Sequence, residues 1–128
     1  MGIDKSKYVV LDVESNGLNI DDDILSISLY KPDDETFFHK YLPLENSKKL
    51  KKSVTDVNGI TYEILKGATP LTQEDIDVII ETFELERRII LTYSTFDKNM
   101  LRRYFARKKL IGFQKLNFYN FKEDIISS

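Results

Sequence analysis

The first clear pattern in the chain is Tyr8-Val9-Val10-Leu11-Asp12-Val13, a β-branched apolar run that closes on an acid. Such a run predicts a buried central strand. Gly17 and the polar stretch from Asn19 to Asp23 interrupt it. Ile24 to Tyr30 then alternates as a half-buried strand does. Lys31-Pro32-Asp33-Asp34 has the composition of a turn, and Thr36 to Leu42 reads as a third strand. Loops this short leave no room for crossover helices, so the three strands should form an antiparallel meander.

The pattern changes after Pro43. Lys48-Lys49-Leu50-Lys51-Lys52 reads as a basic loop, followed by a short segment from Asn58 to Leu65. From Thr72 the period becomes helical, with Ile76, Ile79, Ile80 and Phe83 at i, i+3, i+4 and i+7. Thr72 and Asp75 have capping-box spacing. Arg88 to Tyr93 predicts another short buried strand. A second helix should follow, with Phe96, Met100, Leu101, Tyr104 and Phe105 on one face and Gly112 at its end. Lys115 to Phe121 predicts a last strand. The order β-β-β-α-β-α-β implies an α/β fold with a mixed sheet and helices packed on it. A phospho-receiver domain, with Asp12 as acceptor, would instead alternate strand and helix from its start.

Composition narrows the chemistry. The chain has 128 residues, 41% of them apolar, with seven Tyr and eight Phe, enough for one domain with a core. No apolar stretch approaches a membrane span, and the opening residues do not read as a secretory leader. With no cysteine and one histidine, His39, thiol chemistry and His-rich or Cys-ligated metal sites are excluded. A soluble cytoplasmic domain working through carboxylates and hydroxyls is expected. Residues 1–35 hold nine acids against three lysines, whereas residues 87–128 hold ten Lys or Arg against three acids. An acidic cluster beside a basic surface suits metal-dependent chemistry on a polyanion, although solvated faces can also be unevenly charged.

Asp12 and Glu14 flank Val13, so on a strand both carboxylates point to one face. A hard divalent cation would relieve their repulsion. A strand end emerging into solvent would tolerate the same spacing. Asp97, in the first turn of the second helix, would complement the helix dipole for structural reasons alone. The mixed sheet should nevertheless bring it near Asp12 and Glu14.

These residues carry a resemblance to the DEDD-type 3′–5′ exonucleases, in the branch that includes the proofreading subunit of bacterial DNA polymerase III. Asp12-Val13-Glu14-Ser15-Asn16-Gly17-Leu18 resembles the first motif, D-x-E-T-T-G-L. Asp23-Ile24-Leu25-Ser26-Ile27 is similar to the acidic loop and strand that follow. Asn58-Gly59-Ile60-Thr61 is similar to an H-G-I-T element, and Tyr62-Glu63-Ile64-Leu65 to a D-x-x-L element. Thr92 to Leu101 resembles the second motif, H-N-x-x-F-D-x-x-x-L, with Thr92-Tyr93 in place of His-Asn and Phe96-Asp97 retained.

The resemblance implies a ribonuclease-H-like fold and 3′–5′ hydrolysis of DNA or RNA in proofreading or repair. It further implies two Mg²⁺ or Mn²⁺ ions held by Asp12, Glu14 and Asp97 as the catalytic set. Ser15, Gly17 and Leu18 would lie against the 3′-terminal nucleotide of a single strand; Tyr93 and Phe96 are further candidates for substrate binding, with core packing the alternative for Phe96, which is at helical spacing with Met100. A polymerase or helicase is an implied partner. The family's third motif, H-x(4)-D on a C-terminal helix, has no counterpart in the 128 residues. From this the domain is expected to be C-terminally truncated, without that helix, and inactive as it stands. A sheet face including Val9, Leu11 and Leu101 would then be uncovered and open to homodimer formation. The alternative is a non-catalytic nucleic-acid or protein-interaction module of the same fold.

Overall fold

A computed structural model describes residues 4–19, 21–45 and 49–120. The first three strands are β1 (Tyr8–Ser15), β2 (Ile24–Lys31) and β3 (Thr36–Tyr41). Three helices follow: α1 (Lys52–Asn58), α2 (Tyr62–Leu65) and α3 (Gln73–Thr82). The chain continues through β4 (Ile89–Thr92), α4 (Thr95–Lys108) and β5 (Phe118–Asn120). The sheet order is β3-β2-β1-β4-β5, with β1-β2 and β2-β3 antiparallel and β1-β4 and β4-β5 parallel. The expected meander and mixed sheet are therefore present, with β1 at the centre.

Alternation along the strands sorts the residues onto two faces. Val9, Leu11 and Val13 of β1 bury with Ile27 and Leu29 of β2. Over them pack Ile76 and Ile79 of α3 and Met100, Leu101, Tyr104 and Phe105 of α4, the predicted apolar helix faces. The expected uncovered face is consequently on the other side of the sheet. Val9, Leu11 and Leu101 are all buried, whereas Val10, Phe37 and Tyr41 are exposed. The cause is parity: α3 and α4 cover the odd positions of β1.

The predicted capping box of α3 forms, with Thr72 Oγ1 accepting from the Asp75 amide at 3.1 Å and Asp75 accepting from the Thr72 amide at 2.9 Å. α4 stops at Lys109, which takes a left-handed conformation at φ 56°, and not at Gly112. Lys115 lies in a 3-10 turn, so the last strand starts later than expected. Lys48 and Phe121 of the sequence reading lie outside the described residues. α1 and α2 replace the expected loop and short segment. Among the described residues, no helix is long and apolar enough to cross a membrane.

At the end of the sheet where β1 begins, a buried guanidinium ties the strands together. Arg88, 2% exposed, donates to both Asp33 carboxylate oxygens at 2.9 and 2.8 Å and to the Tyr8 carbonyl at 3.1 Å. Asp33 lies in the β2–β3 turn, so one side chain braces three strands. The other end of β1 is left to the chemistry.

Candidate active site

Asp12 and Glu14 project from the same face of β1, as their spacing requires. Asp97 enters from the first turn of α4, which is joined by two residues to β4, the parallel neighbour of β1. Ser94 caps this helix by accepting from the Phe96 amide at 3.3 Å. Asp97 is only 7% exposed, and among the described residues its carboxylate has no hydrogen-bond or ion-pair partner.

The three acids sense one another. Asp97 is pushed up to about 7, first by burial and then by the charges of Asp12 and Glu14. Asp12 is likewise raised, by burial, by the charge of Glu14 and by a side-chain hydrogen bond to Glu14. Asp12 is exposed at the surface, yet its surroundings exclude enough water to penalise the charged form. The carboxylates do not close into a ready three-ligand cluster among the described residues. What they provide is oxygen donors and uncompensated negative charge, the requirements of a hard divalent cation. Donor chemistry and charge fit such an ion, and closure around it would draw the carboxylates together.

Glu14 forms a wall shared by two cavities. One is a groove of about 580 Å³ lined by Ser15, Gly17, Leu18 and Phe96 on one side and by Lys51, Val54 and Val57 on the other. Four of the five candidate substrate-binding residues thus meet here. Leu18 and Val57, each 87% exposed, offer apolar surface at this groove. Phe96 lines the groove while packing against the core. Tyr93, the fifth, is exposed but lines neither cavity.

The groove is held open by local structure. Asn16, fully buried at the end of β1, donates to the Lys49 carbonyl at 3.0 Å and accepts from the Lys51 amide at 2.9 Å. This pins the entry of α1 beside the first motif. Ser15 donates to the Gly17 carbonyl at 2.5 Å. A Cβ on Gly17, at φ +155°, would collide with the Asp22 carboxylate, which accepts from the Asn19 amide at 2.9 Å.

The Asn58-Gly59-Ile60-Thr61 element makes the corner between α1 and α2. Gly59 ends α1 in the left-handed region at φ 75°, Ile60 is buried, and Thr61 caps α2 by accepting from the Ile64 amide at 3.2 Å. Asn58 thereby reaches Glu14, donating to its Oε2 at 3.4 Å. The second cavity, about 350 Å³, is lined by Asp12, Glu14, Ser26, Ser28, His39 and Tyr41. Sequence reasoning missed Asn58, Ser26, Ser28, His39 and Tyr41 as site residues. Asn58 could have been found from its place in the H-G-I-T-like element, and His39 and Tyr41 from the alternation of β3.

The model of a family described as exonuclease matches residues 9–121. The PolC-type DNA polymerase III of Streptococcus mutans is 27% identical over 112 residues, covering 86% of this chain and 8% of the polymerase. Among solved structures, a zinc-bound complex of E. coli exonuclease I with single-stranded DNA superposes with a TM-score of 0.71 at 16% identity, over 91% of this chain and 28% of the other. E. coli exonuclease I with a dT13 oligonucleotide gives 0.72 at 15% identity, over 94% and 29%. The mixed sheet is the ribonuclease-H-like fold of these exonucleases. The chain spans a small part of the polymerase and under a third of the exonuclease I chains.

Proposed function

The chain belongs to the exonuclease family, and from that premise we propose that it provides the site of a 3′–5′ exonuclease acting on single-stranded nucleic acid. The observation that carries this reading is the convergence of Asp12, Glu14 and Asp97 beside a groove walled by the first motif. Asp12, Glu14 and Asp97 would hold Mg²⁺ or Mn²⁺. Divalent ions, when bound, supply Lewis-acid polarisation of the phosphate and a more acidic attacking water.

The chain's own residues perform the remaining tasks. Leu18 and Val57 receive the apolar faces of the terminal nucleotide, and Phe96 closes the inner wall. Asn58 holds the Glu14 carboxylate in place from the side of α1. Asn16 keeps the groove at a fixed width by fastening residues 49–51 to β1. The buried Asp97 keeps negative charge focused on the site in its ionised form. The substrate class supported best is DNA of the replication or repair type, since the polymerase relative and the exonuclease I complexes both concern DNA. We place the reaction in the cytoplasm, in keeping with a nucleic-acid substrate and a chain without cysteine.

One observation favours the non-catalytic reading. Thr92 and Tyr93 stand where the second motif has His-Asn; Thr92 is buried, with its hydroxyl donated to the Ser94 carbonyl at 3.1 Å, and Tyr93 is exposed and lines neither cavity. An assay for stepwise shortening of 5′-labelled single-stranded DNA and RNA, as nucleoside monophosphates leave the 3′ end, with Mg²⁺ and with Mn²⁺, separates the two. It should be run on this chain and on the chain extended by any residues that follow Ser128 in its gene. Release from the extended form, abolished by Asp12→Ala, supports the nuclease. Inactivity of both forms on both substrates, or activity that survives Asp12→Ala, overturns it.

A further inference from the structure

Every outward position of β3 carries a ring. Phe37, His39 and Tyr41 alternate with Thr36, Phe38 and Lys40, and Phe38 packs against the core on the opposite face. The strand registers set Phe37 in line with Tyr30 and Val10, His39 with Ser28 and Asp12, and Tyr41 with Ser26 and Glu14. The ring column therefore stands two strands, about 10 Å, from the acidic column on the same face. His39 and Tyr41 meet edge to face with centroids 4.4 Å apart. Both line the cavity that holds Asp12 and Glu14. Phe37 continues the column and is 63% exposed.

We propose that Phe37, His39 and Tyr41 form a stacking platform for unpaired bases of a single-stranded nucleic acid whose 3′ end lies at Asp12 and Glu14. This rests on the exonuclease reading above and adds a second contact region to it. His39 and Tyr41, in edge-to-face contact, make one ring surface, and Phe37 lies a further two residues, about 6.8 Å of backbone, along the strand, so one base can rest on the pair and a neighbouring one on Phe37. Every base has a π-face, so such stacking is tolerant of sequence. Glu14 walls both the groove and the ring-lined cavity, so a strand seated by Leu18 passes Glu14 to reach Tyr41. The outward positions of the three registered rows include no Lys or Arg, so the contact is to bases and not to phosphates. A second copy of the chain is a poorer occupant. This face carries the Asp12–Glu14 pair and, in the registered rows, no Lys or Arg to meet the same charges on a second copy.

The test uses fluorescence anisotropy with a short fluorescein-labelled oligothymidylate and Mn²⁺. Tyr41→Ala, His39→Ala and Phe37→Ala change exposed side chains, and Tyr41→Phe keeps the ring. Each alanine variant should weaken oligothymidylate binding roughly tenfold. Tyr41→Phe should bind as the parent does. Thymidine monophosphate, which reaches only the terminal groove, should bind all forms equally. The salt dependence of binding should be unchanged by the alanine variants, because no phosphate contact is lost. Parental affinity in Tyr41→Ala and His39→Ala overturns the platform and leaves the exonuclease reading standing. So does concentration-dependent dimerisation that Phe37→Ala abolishes. Failure of the parent to bind either ligand overturns both.

Discussion

Asp97→Asn should stabilise the protein, and do so only as pH rises. Asp97 is 7% exposed and is raised from 3.8 to about 7 by burial and by Asp12 and Glu14. In the unfolded chain the carboxyl loses its proton near 3.8; in the fold it keeps it to about 7. Between those values the folded state binds more protons than the unfolded state, so stability falls as pH rises through that window and levels off above it. At about 1.4 kcal/mol per tenfold change, the gap amounts to about 4 kcal/mol as an upper bound. Structural relaxation and an effective dielectric near 20 reduce it to roughly 2–4 kcal/mol. Asn keeps the shape and removes the charge. Thermal melts from pH 4 to pH 8.5 should show the variant equal to the parent at the acid end and roughly 5–15 °C more stable at the alkaline end. Asp12, also raised, leaves a smaller slope of the same sign in the variant. A difference between variant and parent that does not change with pH, or a variant less stable at pH 8, would refute the reasoning.

Substitutions at two further positions test how the site is framed. Arg88→Leu should lower the melting temperature by several degrees, because it removes the bidentate contact to Asp33 and a donor to the Tyr8 carbonyl; Arg88→Lys should recover less than half of the loss, having no planar fork. Neither should alter cation binding at Asp12, which lies towards the other end of the strand. Gly17→Ala should cost about 1–2 kcal/mol in denaturant unfolding, since its Cβ must displace the Asp22 carboxylate from the Leu18 loop. The same change should weaken thymidine monophosphate binding, with an unchanged affinity counting against the groove as its site.

What was legible in the sequence follows from what each element buries. β1 to β3 and the faces of α3 and α4 were visible because Val9, Leu11, Ile76, Met100 and Leu101 all sink into one core. α1 was invisible for the opposite reason: it buries no residue, and it is held by Gly59 at its end and Asn16 at its start. α2 is one turn with only Leu65 buried, too short for a period to emerge. The convergence of Asp12, Glu14 and Asp97 was legible because parity fixes the first two and topology brings in the third. The relation of His39 and Tyr41 to those acids was not. It depends on the β2–β3 register, which is set by a turn ending at Glu35 in the left-handed region at φ 63°. The uncovered face was misassigned because its identity depends on which parity the helices cover, and helix periodicity alone does not reveal that.

Paramagnetic broadening by Mn²⁺ in ¹H–¹⁵N NMR spectra tests most directly whether Asp12, Glu14 and Asp97 together hold a divalent cation. The competing acidic turn at Asp33 and Asp34 is neutralised by Arg88 and Lys31, so it should compete poorly. Amide signals around Asp12, Glu14 and Asp97 should broaden first, at Mn²⁺ concentrations on the order of millimolar or below, with Mg²⁺ reversing the effect. Asp97→Asn should shift that broadening to higher Mn²⁺. Broadening that begins at Asp33–Asp34 or at Asp21–Asp23 while the Asp12 region stays sharp would contradict the account.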